Sequence, residues 1–83
     1  MYYHTSDWSL YPSIRISYNE NGKEEYIGNA PVGSAEDAPV WFIRKMEYDS
    51  LDRLISVKFA EGEKKGSLEN IFRWDLATTY TYS

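Results

Sequence analysis

Apolar and polar positions alternate with a period of two along much of this chain, the spacing of strands that bury one face. In SIRISYNENGKEEYIG, Ile14, Ile16 and Tyr18 alternate with Arg15 and Ser17, and Asn21-Gly22 then supplies the backbone freedom of a tight hairpin turn. Tyr26 and Ile27 lie on the return, so the pattern predicts a hairpin of residues 13–19 and 24–28. After it comes GNAPVGSAEDAP, a loop by its two prolines, two glycines and small residues. VWFIRKMEYD predicts a third strand whose Val40–Ile43 run is apolar on both faces. DSLDR reads as a turn, because Asp49 and Ser50 can bond their own backbone.

LISVKFAEG predicts a fourth strand with Ile55, Val57 and Phe59 on one face and Ser56 and Lys58 on the other. EGEKKG is a charged turn, and SLENIFRWDL carries cap residues and helix-like spacing at Leu68, Ile71 and Phe72. A single helical turn is therefore expected near residues 68–73. ATTYTY predicts a terminal strand with Tyr80 and Tyr82 on one face and Thr79 and Thr81 on the other. Large aromatics this close to the end imply that the end is tied down, because free termini fray. The expected fold is all-β, a small antiparallel barrel or sandwich of about five strands with one long loop. Residues 1–12 form an N-terminal aromatic arm, and residues 13–83 form a single β domain.

Composition narrows the chemistry. With 83 residues, 9 Lys plus Arg against 13 Asp plus Glu, and a formal net charge of −4, the chain lacks the clustered cations that nucleic-acid binding needs. The absence of cysteine removes disulfides, thiolate catalysis and cysteine-ligated zinc. No apolar run reaches the roughly 20 residues of a membrane span, and MYYHTSDWSL has no signal-peptide pattern, so a soluble protein without a membrane partner is expected. His4 is the one histidine and lies in the arm, away from any Ser and Asp arrangement that would make it a base. The acidic pairs Glu24-Glu25, Glu36-Asp37, Glu61/Glu63 and Asp49/Asp52 sit in turns or on opposite strand faces, unlike a glycosidase pair across a cleft. Asp49 and Asp52 lack the further ligands of a calcium loop, and no Lys or helix follows GNAPVGS to make a phosphate cradle. A protein without catalysis, metal or cofactor is expected.

Aromatics are the abnormal quantity, with eight Tyr, three Trp and three Phe. Trp41, Ile43, Phe59 and Trp74 lie among apolar neighbours and are assigned to the core. Tyr2, Tyr3, Trp8 and Tyr11 crowd the arm and, with Tyr80 and Tyr82, are the candidates for contact with another molecule. Of the two terminal rings, one is expected to complete the core and the other to meet a neighbour.

From residue 27 onward the chain resembles a family of short, mostly uncharacterised proteins and domains of tailed bacteriophages. The matching residues are the loop IGNAPVGSA, then Trp41, Ile43, Lys45 and Tyr48-Asp49, then FAEG, and finally Trp74-Asp75 followed by the terminal tyrosines. One departure is that Asp75 is followed by Leu76 and Ala77 where the family pattern has an Arg, so an Asp–Arg pair pinning the last strand is expected to be missing. The resemblance implies a non-enzymatic virion component, made in the host cytoplasm and bound to other virion proteins in a homo-oligomer or symmetric assembly. It also implies Trp41 and Trp74 as core anchors and the Ala30–Ser34 loop as a rigid lid or contact element. Two further functions remain open from the residues: a module binding a host-surface glycan or peptide, and a phage factor binding a host protein inside the cell.

Overall fold

The computed structural model describes residues 9–62 and 69–83. Tyr2, Tyr3 and Trp8 of the arm, most of the charged turn, and Leu68 at the start of the expected helical turn lie outside these residues. The described chain is an antiparallel, all-β structure: an open four-stranded sheet in the order β1-β2-β3-β4. Its strands are β1 Ser13–Tyr18, β2 Glu24–Ala30, β3 Phe42–Tyr48 and β4 Leu54–Phe59. The fifth strand expected over residues 77–82 is not formed. Trp74–Thr79 is instead a 3₁₀ segment, and only Tyr82 bridges back, to Ala60. Residues 69–73 are not helical, so the helical turn lies after Phe72 rather than before it. A compact 3₁₀ segment with a buried Ala77 stands where that strand was expected.

Both hairpins close in the same way. Asn19 N–H donates to the Lys23 carbonyl and Gly22 N–H to the Asn19 carbonyl, while the Asn19 side-chain oxygen accepts from the N–H groups of Asn21 and Lys23. Asp49 repeats every one of these bonds with Asp52, Leu51 and Arg53. The second residue before the return strand carries a left-handed backbone in each, Gly22 at φ 80° and Asp52 at φ 61°. Asn21 is not left-handed, so the first turn is a three-residue loop rather than the two-residue turn that Asn-Gly most often makes.

The core forms on one face of the sheet. Ile43 stands opposite Gly28, and Lys45 opposite Tyr26, so the row Tyr26, Gly28, Ala30 on β2 shares a face with Trp41 and Ile43. Trp41 and Ile43 are fully buried there, in a cluster with Tyr26, Ala30, Ala60, Phe72 and Ala77. The C-terminal stretch supplies the cover: Phe72 bridges Trp41, and Trp74, Tyr80 and Tyr82 pack against the cluster. Gly28 makes the space, since a Cβ on it would stand 2.8 Å from the Trp74 ring and 3.1 Å from that of Trp41. Phe59, assigned to this core from its sequence, is half-buried on the opposite face, because it pairs with Arg44 and not with a core-facing residue.

Candidate interaction surface

The second face of the sheet follows from the register. Ile14 pairs with Asn29 and Ile16 with Ile27; Asn29 pairs with Phe42, Arg44 with Phe59, and Met46 with Val57. Alternation therefore puts Ile14, Ile16 and Tyr18 of β1, Ile27 of β2, Met46 of β3, and Ile55, Val57 and Phe59 of β4 on one side. Its middle is closed, with Met46 and Asn29 buried, whereas its flanks are open. Ile14, Ile16, Tyr18, Ile55 and Val57 are each between 41% and 63% exposed. Leu54 and Leu51 extend the exposed apolar surface at the β3–β4 turn.

Polar groups at the centre of this face are satisfied within the chain. The Arg44 guanidinium donates to Asn29 Oδ1 at 2.8 Å, and Asn29 Nδ2 donates to the Tyr11 carbonyl at 3.2 Å. Burial pulls the Arg44 pKa down from its ordinary value. Tyr11 stands edge-on to Phe42 with ring centroids 4.8 Å apart, so the arm enters the domain across the Phe42 end of this face. At the opposite end, between the two hairpin turns, lies a shallow groove of about 430 Å³. Asn19, Glu25, Met46, Tyr48, Asp49 and Ile55 are among its walls. Asn21 Nδ2 donates to Asp52 Oδ1 across it at 3.3 Å, and the Tyr48 hydroxyl donates to the Glu24 carbonyl at 2.7 Å. Hydrogen bonds from the Arg53 backbone lead in holding the Asp49 carboxyl below the usual carboxylate range. Among the described residues no group of His, Cys, Asp and Glu is placed to hold a metal ion.

Of the contact residues expected from the sequence, three are among the described residues: Tyr11 lies at the Phe42 end of this face, and Tyr80 and Tyr82 lie elsewhere. Tyr80 and Tyr82 are both turned onto the core: the Tyr80 ring lies 4.8 Å from that of Phe72, and the Tyr82 ring 5.4 Å from that of Tyr26. Arg73 N–H donates to the Tyr80 hydroxyl, and the Tyr82 hydroxyl donates to the Ala77 carbonyl, so each phenol is also bonded internally. Both rings are half-buried, Tyr82 packing on Tyr26 of β2 and Tyr80 on Phe72. Asp75 also has its arginine: Arg73, two residues upstream, donates to both carboxylate oxygens at 3.0 Å and 2.7 Å. The Ala30–Ser34 loop is pinned by Trp41, whose indole N–H donates to the Ala35 carbonyl, and by Gly33 N–H on the Ser13 hydroxyl.

What sequence reading missed are the exposed rows Ile14–Ile16 and Ile55–Val57. A signal existed: the central strand β2 carries the smallest residues, Gly28 and Ala30, opposite Ile27 and Asn29, and small residues mark the face that receives indoles. No protein-family model, no curated protein and no solved structure matches the chain.

Proposed function

We propose that this chain is a non-enzymatic assembly module of a tailed-phage particle, binding other virion proteins through the open face of its sheet. One observation carries the reading: the outer strands turn their apolar rows, Ile14, Ile16, Tyr18 and Ile55, Val57, to solvent while a complete core lies on the other face. Exposed apolar rows on one face of a sheet suit a protein contact. The resemblance from residue 27 onward supports the phage setting. In this reading the second layer that would make the sheet a sandwich comes from the partner, and the module acts as one of several copies in a symmetric assembly.

Quantitative mass spectrometry of purified particles of the encoding phage tests it. The chain is expected in the particles at a fixed ratio to the major capsid protein. A double variant, Ile55→Lys with Val57→Lys, is expected to keep the far-ultraviolet circular dichroism of the sheet and to be lost from the particles. Absence of the unmodified chain from the particles overturns the reading.

A further inference from the structure

Asparagine amides are thermolabile, and the chain has four: Asn19, Asn21, Asn29 and Asn70. Such an amide is lost when the backbone nitrogen of the following residue attacks the side-chain carbonyl carbon, so the next residue and the room around it select the site. Asn29 is buried, with its oxygen held by Arg44 and its nitrogen by the Tyr11 carbonyl. Asn19 precedes Glu20, and its oxygen is occupied by the N–H groups of Asn21 and Lys23. Asn70 precedes Ile71, whose branched side chain crowds its own nitrogen. Asn21 differs from all three. It is exposed in the β1–β2 turn and precedes Gly22, around which, its chain neighbours apart, no atom lies within 4 Å of where a Cβ would stand. What its amide does touch is Asp52 of the other turn, Nδ2 donating to Oδ1 at 3.3 Å.

We propose that Asn21 is a self-modifying site: its amide is lost to water, and the acid formed there turns a hydrogen bond between the two hairpin turns into a contact between like charges. Water is the co-reactant, and nothing is oxidised or reduced. The Gly22 nitrogen gives up its proton and bonds to Asn21 Cγ; the Cγ–Nδ2 bond breaks, and ammonia leaves with that proton as a succinimide ring closes. Water then opens the ring at either carbonyl. Breaking the bond from nitrogen to Cγ leaves an aspartate, and breaking the bond to the backbone carbonyl carbon leaves an isoaspartate, with an extra methylene in the main chain. Closing the ring also requires the Gly22 N–H to leave the Asn19 carbonyl, 3.0 Å away. That bond spans one exposed turn, and loop tips open locally at little free-energy cost.

The product acts on the other hairpin. An ionised aspartate only accepts hydrogen bonds, so it has nothing to donate to Asp52. The groove between the turns already carries Glu25, Glu47, Asp49 and Asp52, with the ammonium of Lys45 against them. A further carboxylate therefore raises the repulsion across the groove, most in low salt. The isoaspartate product also lengthens a loop that Asn19 organises through two side-chain bonds. The site is independent of the assembly reading, since the exposed isoleucine rows take no part in it.

Peptide mapping by mass spectrometry tests the chemistry, with the full chain aged in warm, mildly alkaline buffer beside the free peptide SYNENGKEE of residues 17–25. Asn21 is expected to gain the mass of an acid and to give both product isomers, at a rate no more than about tenfold below that of the peptide. Asn19, Asn29 and Asn70 are expected to keep their amides, and Asn21→Gln to leave position 21 unconverted. Retention of nearly all Asn21 after about ten half-lives of the peptide, or conversion of Asn19 or Asn70 as fast as Asn21, overturns the site. The contact between charges is read without ageing, in Asn21→Asp. Its urea midpoint in low salt is expected below that of the unmodified chain, and the gap to shrink in high salt. Adding Asp52→Asn to both chains is expected to close the gap, because asparagine tolerates the left-handed backbone and can donate to the acid at position 21. Equal midpoints in low salt, or a gap that Asp52→Asn leaves unchanged, overturn the contact.

Discussion

Gly28 sets the depth at which two indoles lie over the sheet, and the cost of changing it is the sharpest residue-scale test. A methyl there meets the rings of Trp74 and Trp41 at 2.8 Å and 3.1 Å, and both rings belong to the packed core. Gly28→Ala is expected to destabilise by about 1–3 kcal/mol, the usual range for overpacking, seen as a lower urea midpoint at unchanged slope. Asp52 is the opposite case: at φ 61° it holds a conformation that glycine adopts without a side-chain clash. Asp52→Gly is expected to raise stability by up to about 1 kcal/mol, less whatever the exposed Asn21 contact contributes. Tyr82 is predicted to report pH. Burial, with Tyr26 and Tyr80 next to it, pushes its phenol well above the ordinary tyrosine range. A raised folded pKa in a neutral acid means that the stability is intact below the unfolded value, about 10, and falls as pH rises past it. Tyr82→Phe is expected to lessen that alkaline loss, measured as unfolding midpoints at neutral pH and above pH 10.

At the scale of elements, the chain uses one turn twice. Asn19 and Asp49 begin loops with the same hydrogen-bond pattern, each side-chain oxygen accepting from two backbone N–H groups. The sequence exposed both turns, because Asx residues and glycine act within four or five positions. The C-terminal stretch was misread for a physical reason: TTYTY has strand composition, but β-propensity measures fit to a half-buried pleated surface, and Phe72 and Trp74 already occupy that surface. What the last residues do is pair with β4 at Phe59 and Glu61 and lay Tyr82 on Tyr26. Removing residues 81–83 is expected to destabilise by about 2–4 kcal/mol, chiefly through the lost aromatic burial, and to raise hydrogen exchange at Phe59 and Glu61 more than at β1.

The whole molecule has one finished face and one face open at its flanks, and three of its surface carboxylates are tuned to the folded state. Glu47 is held low mainly by the Ser56 hydroxyl, Asp49 by the Arg53 backbone, and Asp75 by Arg73. Depressed folded values contribute stability that is present above the unfolded pKa, near 4, and is lost as pH falls through the folded values. The denaturant midpoint is therefore expected to fall between pH 6 and pH 3, and less so in Asp75→Asn. By itself the sequence determined the antiparallel, all-β character, the β1–β2 hairpin, both turns and the burial of Trp41 and Ile43, because each depends on period-two alternation or on chemistry within a few residues. Alternation states that a strand has two unlike faces, and says nothing of which one will be covered. Only the tertiary structure decided that: the Phe72–Tyr82 stretch returns across dozens of residues to the one side where Gly28 and Ala30 leave room for indoles, and the isoleucine rows of β1 and β4 are left outside.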